Sequence, residues 1–170
     1  MSSIIKVDTI QNAAGTTGLT IDSNGVVSKG VVPSWRVSRS TTQTVSSATV
    51  VEVTWDTYSD GNGYLDGGCT LSSGIITVPV AGLYLITSSL RIDAIGSGYI
   101  IGRIEINDQT GGREDTYVID GGPNSSYDNL ILSDIFKLSA NDNVRITVGA
   151  STDTSWEIDI NSTFSGSLIG

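Results

Sequence analysis

The residues of this chain that could bind a metal ion are acidic and amide side chains in loops. Asp60, Asn62 and Asp66 lie in a glycine-rich segment, and Asp142 lies in a later connection between two apolar runs. Carboxylate and amide oxygens are the ligands that calcium prefers, although the spacing does not match an EF-hand. Asp and Asn also stabilise turns by bonding to nearby backbone groups. Calcium binding by these four residues and simple turn formation are therefore both open interpretations.

Four tyrosines form a second group of candidate binding residues. Tyr58, Tyr64, Tyr117 and Tyr127 fall in segments that we expect to be loops. An aromatic ring with a polar tip is suited to stacking on the sugar rings of a receptor glycan. Packing of each ring against its own loop or against a neighbouring subunit is the alternative.

Catalytic chemistry has little support in the sequence. The chain contains no histidine, so that Ser-His-Asp and Cys-His arrangements and the usual histidine zinc sites cannot form. The eighteen acidic residues could supply a glycosidase pair, but no pattern brings two of them together beside a cleft. Cys69 is the only cysteine and has no neighbouring base to activate it. We therefore expect a protein that is not an enzyme.

The charge balance restricts the partners of the protein. Eighteen acidic and nine basic residues give a net charge of -9, which is the wrong sign for binding nucleic acid or an anionic membrane. No apolar stretch approaches the roughly 20 residues of a membrane helix, and residues 1–11 lack the apolar run of a signal peptide. We expect neither nucleic acid nor a membrane as partner, and synthesis without export.

The elements that position these residues are predicted to be β-strands. Charged residues make up only 16% of the chain, and no window repeats its apolar residues at helical spacing. Alternating apolar residues favour an all-β fold, a two-sheet antiparallel sandwich in jelly-roll order that hides most strand edges. The predicted strands of this sandwich span 35–39, 50–55, 75–78, 83–94, 99–107, 129–138, 143–150 and 156–170.

Two of these strand predictions are specific enough to be tested. Residues 156–170 are predicted to form one long closing strand, because their apolar residues share one parity. Residues 129–138 and 143–150 are predicted to form a hairpin across Ser139–Asp142.

The chain is predicted to divide into an arm, residues 1–32, and a head, residues 33–170. The arm carries two acidic and two basic residues, so the net negative charge belongs to the head. Two very short strands are expected in residues 18–28, around a turn with an Asn-Gly pair. Such strands bury too little surface to be stable alone, so we expect the arm to be ordered only on a partner or wound with copies of itself.

Four segments of the head resemble a known family. WDTYSDGNGYLDGG at 55–68, GIITVPVAGLYLI at 74–86, NLILSDIFKLSANDNVRITV at 129–148 and STFSGSLIG at 162–170 are similar to the globular head of complement component one q and its tumour-necrosis-factor-like relatives. The resemblance implies a jelly roll that forms tight homotrimers. The residues predicted to pack in the core or the trimer are Tyr84 and Phe164, from these segments, and Trp156 and Leu168, from the inward parity of residues 156–170.

The arm has a different resemblance. IIKVDTIQNAAGTTGLTIDSNGVVS, residues 4–28, resembles the leading segment of bacteriophage tail-fibre and other virion structural proteins. It implies a homotrimeric fibre or spike on the surface of a phage particle, held to other virion proteins through residues 1–32 and contacting a host-surface glycan with its head. A capsid decoration protein that stabilises the shell is the alternative.

Overall fold

The chain folds into two compact units, Met1–Val32 and Pro33–Gly170. The structure is a computed structural model that describes residues 7–15, 17–46, 49–56, 61–93, 98–107, 116–120, 127–151 and 155–170. Within these residues every regular element is a β-strand, and every strand pairing is antiparallel. The predicted all-β class therefore describes the chain.

The first unit contains one three-stranded sheet. Its strands are β1 (Thr9–Gln11), β2 (Thr17–Ile21) and β3 (Val27–Lys29), in the order β1-β2-β3. The turn between β2 and β3 is closed by Asp22, whose Oδ1 accepts hydrogen bonds from the backbone N–H groups of Asn24 (2.8 Å) and Val26 (2.9 Å). Gly25 adopts a φ of 80°, which a glycine reaches without steric cost.

The second unit is a sandwich of two sheets. The larger sheet contains β4 (Ser34–Ser38), β5 (Gln43–Val45), β7 (Tyr64–Asp66), β10 (Gly82–Asp93), β13 (Tyr127–Leu138), β15 (Trp156–Ile158) and β16 (Thr163–Leu168). The smaller sheet contains β6 (Val51–Glu52), β8 (Thr70–Ser72), β9 (Ile75–Thr77), β11 (Ile100–Ile106), β12 (Thr116–Asp120) and β14 (Asn143–Ala150).

Strand β10 is the centre of the larger sheet. It pairs with β13 along its whole length on one side, and with β16 and then β15 on the other. The short strands β4 and β5 follow, paired with β16 and β15 respectively, and β7 pairs with β4. The alternate residues of β10 from Tyr84 to Ile92 point into the sandwich and are buried.

Aromatic rings fill the middle of the core. Trp35 lies 5.5 Å from Phe164 and 6.3 Å from Tyr84 between ring centroids, and Trp55 lies 5.7 Å from Phe164. All four side chains are almost completely buried. The Trp35 ring passes directly over Gly166, where an added Cβ would lie only 2.3 Å from two of its ring carbons. A side chain at position 166 is therefore incompatible with this packing.

The predicted hairpin between residues 129–138 and 143–150 is wrong. Strand β13 belongs to the larger sheet and β14 to the smaller one, so the turn between them crosses the sandwich. The turn bonds to Val78 instead: the Asn141 N–H donates to the Val78 carbonyl (2.8 Å), and the Val78 N–H donates to the Asp142 carbonyl (3.0 Å). Apolar residues alternate along both strands, and this sequence pattern is the same whether two strands are neighbours or face each other across a core.

The prediction of one continuous strand over residues 156–170 is also wrong. A turn separates β15 from β16, in which the Asp159 Oδ1 accepts from the Asn161 N–H (2.7 Å) and Ile160 is 47% exposed. The buried Ser162 replaces the missing strand partner, because its Oγ accepts the Arg91 N–H of β10 (3.0 Å). The parity of the apolar residues continues across this excursion, which is why the sequence pattern does not reveal it.

Candidate interaction face

The outward surface of the larger sheet carries large apolar side chains that the described residues leave exposed. Leu83 (43% exposed) and Leu85 (39%) lie on β10, and Ile131 (67%) and Ile135 (54%) lie on β13. Tyr64 (40%) lies on β7 in the same register row as Arg36, Ser165 and Thr87. We call these five apolar side chains, with the sheet surface between them, the apolar face.

The pairing of β10 with β13 creates this surface. Leu85 lies directly opposite Ile135, and Ser89 opposite Ile131, so their side chains project from the same side of the sheet. The residues between them alternate to the inward side, where Ile86, Ser88 and Leu132 are buried and Asp134 is exposed. Both strands are therefore apolar on two faces, which is typical of a sheet that is covered on both sides.

Small polar residues make the middle of the apolar face flat. The hydroxyls of Thr87 and Ser165 lie 2.8 Å apart in neighbouring strands and satisfy each other. A shallow depression of about 140 Å³ lies there, between Tyr64 and Leu85. The two hydroxyls are mutually bonded and the five large side chains are apolar, so this part of the surface can be dehydrated at little cost, although Arg36 adds a charge in the row of Tyr64. A surface of this kind favours a protein partner over a polar ligand.

The structure describes three of the four predicted calcium ligands, and Asp60 lies outside the described residues. Asn62 is exposed in a turn and Asp66 ends β7. Both carboxylate oxygens of Asp142 accept hydrogen bonds, Oδ1 from the Asn107 side chain and Oδ2 from the Ser139 N–H, each at 2.7 Å. Asp142 thus has a turn-forming role. Calcium binding stays a prediction that a change of melting temperature on adding a chelator tests.

Among the described residues, no three acidic or cysteine side chains come close enough together to hold a metal ion. Also within this part of the chain, no helix has the length and apolarity to cross a membrane.

Cys69 is buried, and its thiol pKa is raised to about 11 by burial and by the nearby Asp66 carboxylate. At neutral pH this thiol is protonated and a poor nucleophile.

Of the four candidate glycan-binding tyrosines, only Tyr64 has a described side chain. It belongs to the apolar face, beside Arg36 in the register. Tyr58 lies outside the described residues, and the structure places only the backbones of Tyr117, in β12, and Tyr127, in β13. The glycan contacts therefore stay a prediction.

The residues predicted to pack in the core or the trimer lie inside the sandwich. Tyr84, Trp156 and Phe164 are fully buried, and Leu168 is half-buried against the same core. The Tyr84 hydroxyl donates to the Val80 carbonyl (3.0 Å), and burial, followed by the nearby Cys69, raises the tyrosine pKa. None of these four side chains belongs to the apolar face.

Arg39, which is buried in the segment between β4 and β5, forms hydrogen bonds within that segment, to Gln43 and to Thr54. The guanidinium of Arg39 donates to the carbonyl of Thr41 (3.1 Å) and the side chain of Gln43 (3.0 Å), and to both the hydroxyl (2.8 Å) and the carbonyl of Thr54. Burial lowers its pKa, and the nearby Asp56 carboxylate opposes this effect. The arrangement uses its donors within the protein, so its role is structural.

The apolar face was not identified from the sequence, although a signal was present. The runs Leu83-Tyr84-Leu85-Ile86, Ile131-Leu132 and Ile135-Phe136 place apolar residues on both parities of their strands. An antiparallel strand with one solvated face alternates apolar and polar residues instead. The sequence prediction assigned a role only to the inward-pointing residues of these strands, not to the outward-pointing apolar residues.

Comparisons with known proteins bear on the fold. No protein-family model matches the chain, and no curated protein sequence matches it. The crystal structure of murine APRIL at pH 5.0 is similar, with a TM-score of 0.62 and 13% identity over 81% of this chain and 99% of that chain. Murine APRIL at pH 8.0 has the same TM-score and identity, over 82% of this chain and 100% of that chain. At this identity the likeness concerns architecture alone, and it shows that the sandwich is a tumour-necrosis-factor-like jelly roll, as the sequence predicted.

Proposed function

We propose that this protein is a homotrimeric structural protein of a bacteriophage particle. In this role three heads, residues 33–170, form a short fibre or spike on the particle surface. The arms, residues 1–32, attach the trimer to other virion proteins. The head contacts a glycan of the host surface, and the protein has no enzymatic activity. The observation that carries the proposal is the apolar face. A surface of this kind favours a protein partner, and a second copy of the chain can be that partner.

The exposures on the apolar face support association of the heads. Burying the exposed part of Ile131 or Ile135 contributes about 1 to 2 kcal/mol each, since complete burial of such a side chain contributes about 1.5 to 3 kcal/mol. Large exposed apolar patches on a soluble protein mark interaction sites. A closed ring of copies is the usual way in which one chain covers such a surface repeatedly.

The arm supports attachment to a larger object. None of the side chains that the structure describes in residues 7–32 is buried, although several are aliphatic, with Val31 75% and Val26 59% exposed. A three-stranded sheet without a packed face is marginally stable in water. The arm therefore needs a surface to pack against. The virion location itself is supported by the resemblance of residues 4–28 to the leading segments of phage fibre proteins.

Sedimentation of matched variants tests the trimer. The double variant I131T/I135T keeps the β-branched shape of both residues but makes two large side chains of the apolar face polar. The single variant I160T is the control, because Ile160 is 47% exposed in the turn outside this face. We expect the wild type and I160T to sediment at three times the 17.8 kDa chain mass, and I131T/I135T to dissociate. A monomeric wild type would refute the association.

Imaging of the phage particle tests the location. Gold-labelled antibody against the head is expected to mark a few sites at the tail if the protein is a fibre. Marking by tens to hundreds of copies across the shell would replace the fibre with the decoration protein, and a particle without the protein would reject the virion role.

A further inference from the structure

The sheet of the arm has one apolar and one polar face. Ile10 lies opposite Leu19 in the strand register, and Ile21 lies opposite Val27. Directly opposed residues project from the same side of an antiparallel pair, and residues two apart in one strand also share a side. These four aliphatic residues therefore form one surface, the aliphatic face of the arm, and Lys29 of the edge strand β3 lies in the same register row as Ile10 and Leu19.

The other side of the same sheet is polar. Thr9 lies opposite Thr20, and Thr20 lies opposite Ser28, so the three hydroxyl-bearing residues form one row across β1, β2 and β3. All three are exposed. Such a sheet usually packs its apolar face against another surface and exposes its polar face to water.

The described residues of the arm, 7–15 and 17–32, leave much of the aliphatic face exposed. Ile10 is 49% exposed and Val27 58%, while Leu19 and Ile21 are only half-buried by their neighbours in the sheet. We infer that this face packs against the aliphatic faces of two further copies of the arm, so that three sheets form a three-sided prism. This inference rests on the trimer of the proposed function.

The charges of the arm favour other copies as the occupant. The arm contains Lys6, Asp8, Asp22 and Lys29 and is formally neutral, whereas the head carries the whole net charge of -9. Three neutral arms can approach closely without the mutual repulsion that acts between the acidic heads. Electrostatic repulsion therefore does not oppose association of the arms, although it acts between the acidic heads.

The edges of the sheet are also complementary to each other. Strands β1 and β3 are its two edges, with Asp8 immediately before β1 and Lys29 at the end of β3. A closed ring of three sheets joins unlike edges, so β1 of one copy meets β3 of the next. At each of the three junctions the two strands that meet then contribute opposite formal charges, Asp8 from beside β1 and Lys29 from β3.

Connectivity brings the arms of one trimer to high local concentration. Only residues 30–33 separate β3 from β4, the first strand of the head. A tether of this length reaches at most about 14 Å, so association of the heads makes packing of the arms effectively intramolecular. In this arrangement the row of Thr9, Thr20 and Ser28 remains outside and is the surface available to another virion protein.

Cysteine cross-linking of the full-length protein tests the inference. The variant I10C places a thiol on the aliphatic face, and T9C places one on the adjacent residue of the opposite face. Cys69 contributes no background at neutral pH, because it is buried and its thiol pKa is about 11. With a short bismaleimide we expect I10C to give covalent dimers and trimers on a denaturing gel, and T9C to give at least tenfold less product.

A second pair guards against local disturbance by the first. V27C and S28C repeat the comparison on β3 and are expected to show the same difference. Equal cross-linking of the two members in both pairs, in protein that sediments as a trimer, overturns the prism while leaving the trimer intact. A protein that sediments as a monomer overturns the trimer as well. Cross-linking of I10C in the phage particle to a different polypeptide, in place of its own copies, also overturns the prism and assigns the aliphatic face to that protein.

Discussion

The contact between Gly166 and Trp35 gives a quantitative prediction for the head. A Cβ at position 166 would lie 2.3 Å from two carbons of the Trp35 ring and 2.9 Å from a third. Carbon atoms pack at about 3.5 to 4.0 Å, so the ring must move by more than 1 Å to admit a methyl group. Trp35 is fully buried and is held between Tyr84 and Phe164, so no rotation is available to it.

We expect the clash in G166A to destabilise the head by about 1 to 3 kcal/mol, the range for overpacked cores. Replacing a strand glycine with alanine offsets about 0.5 to 1 kcal/mol of this loss through the unfolded chain. The net loss of about 0.5 to 2 kcal/mol lowers the melting temperature of a domain of this size by roughly 2 to 8 °C. The measurement is thermal unfolding at one fixed protein concentration, because association shifts the midpoint.

A double-mutant cycle isolates the contact from other effects of the alanine. The variant W35F removes the outer part of the ring that lies over Gly166, so G166A/W35F should be at least about 1 kcal/mol more stable than the sum of the single effects predicts. T44A, at an exposed position on β5 of the same sheet, is the control and should change the midpoint little. Strictly additive effects of G166A and W35F would contradict the packing described for this glycine.

Three further predictions concern buried polar groups. S162A removes the only side chain that accepts the Arg91 N–H in the described structure, so we expect a loss of about 1 to 3 kcal/mol in urea unfolding, against little change for S72A at an exposed position on β8 of the other sheet. R39K keeps the charge but not the forked donors that reach Gln43 and Thr54, and should lower the free energy of unfolding by about 1.5 to 3 kcal/mol; a stability equal to wild type would show that these bonds contribute nothing. The pKa of the Cys69 thiol is near 9 in the unfolded chain and about 11 in the native state. The thiol therefore makes its full contribution to the free energy of unfolding below pH 9, and this contribution falls by up to about 2 to 3 kcal/mol as the pH rises to 11. C69A should lose less stability than wild type over this window in urea titrations, and an identical pH dependence would refute the burial of the thiol.

Local sequence patterns determined the class of the fold and most of its strands. Alternation at Tyr84–Ile92 and Val144–Val148 identified strands whose inward residues are indeed buried. This succeeds because strand periodicity depends only on neighbouring residues and on which side is dry. The strand predicted at 50–55 is shorter in the structure, Val51–Glu52, although Val53 and Trp55 remain buried as expected. Burial is therefore better encoded locally than backbone pairing.

Pairing partners were not determined by these patterns. Residues 156–170 keep the same apolar parity through the turn at Asp159–Ser162, so the sequence does not show the turn. The hydrogen bond from the Arg91 N–H to the Ser162 side chain, which only the folded chain contains, marks it. The same limit explains the false hairpin, because apolar residues alternate along β13 and β14 in the same way whether the two strands lie in one sheet or in two. Register is a relation between distant segments, and no single segment contains it.

The sequence by itself determined that this protein is an acidic, histidine-free, all-β chain with a neutral arm and a jelly-roll head, since composition and parity are properties of the chain alone. Only the tertiary structure decided that Leu83, Leu85, Ile131 and Ile135 share one uncovered surface, and that Ile10, Leu19, Ile21 and Val27 share another. Each surface is assembled from strands whose register depends on hydrogen bonds between separate segments. An interaction face is a property of that register, which is why it became visible only in the folded chain.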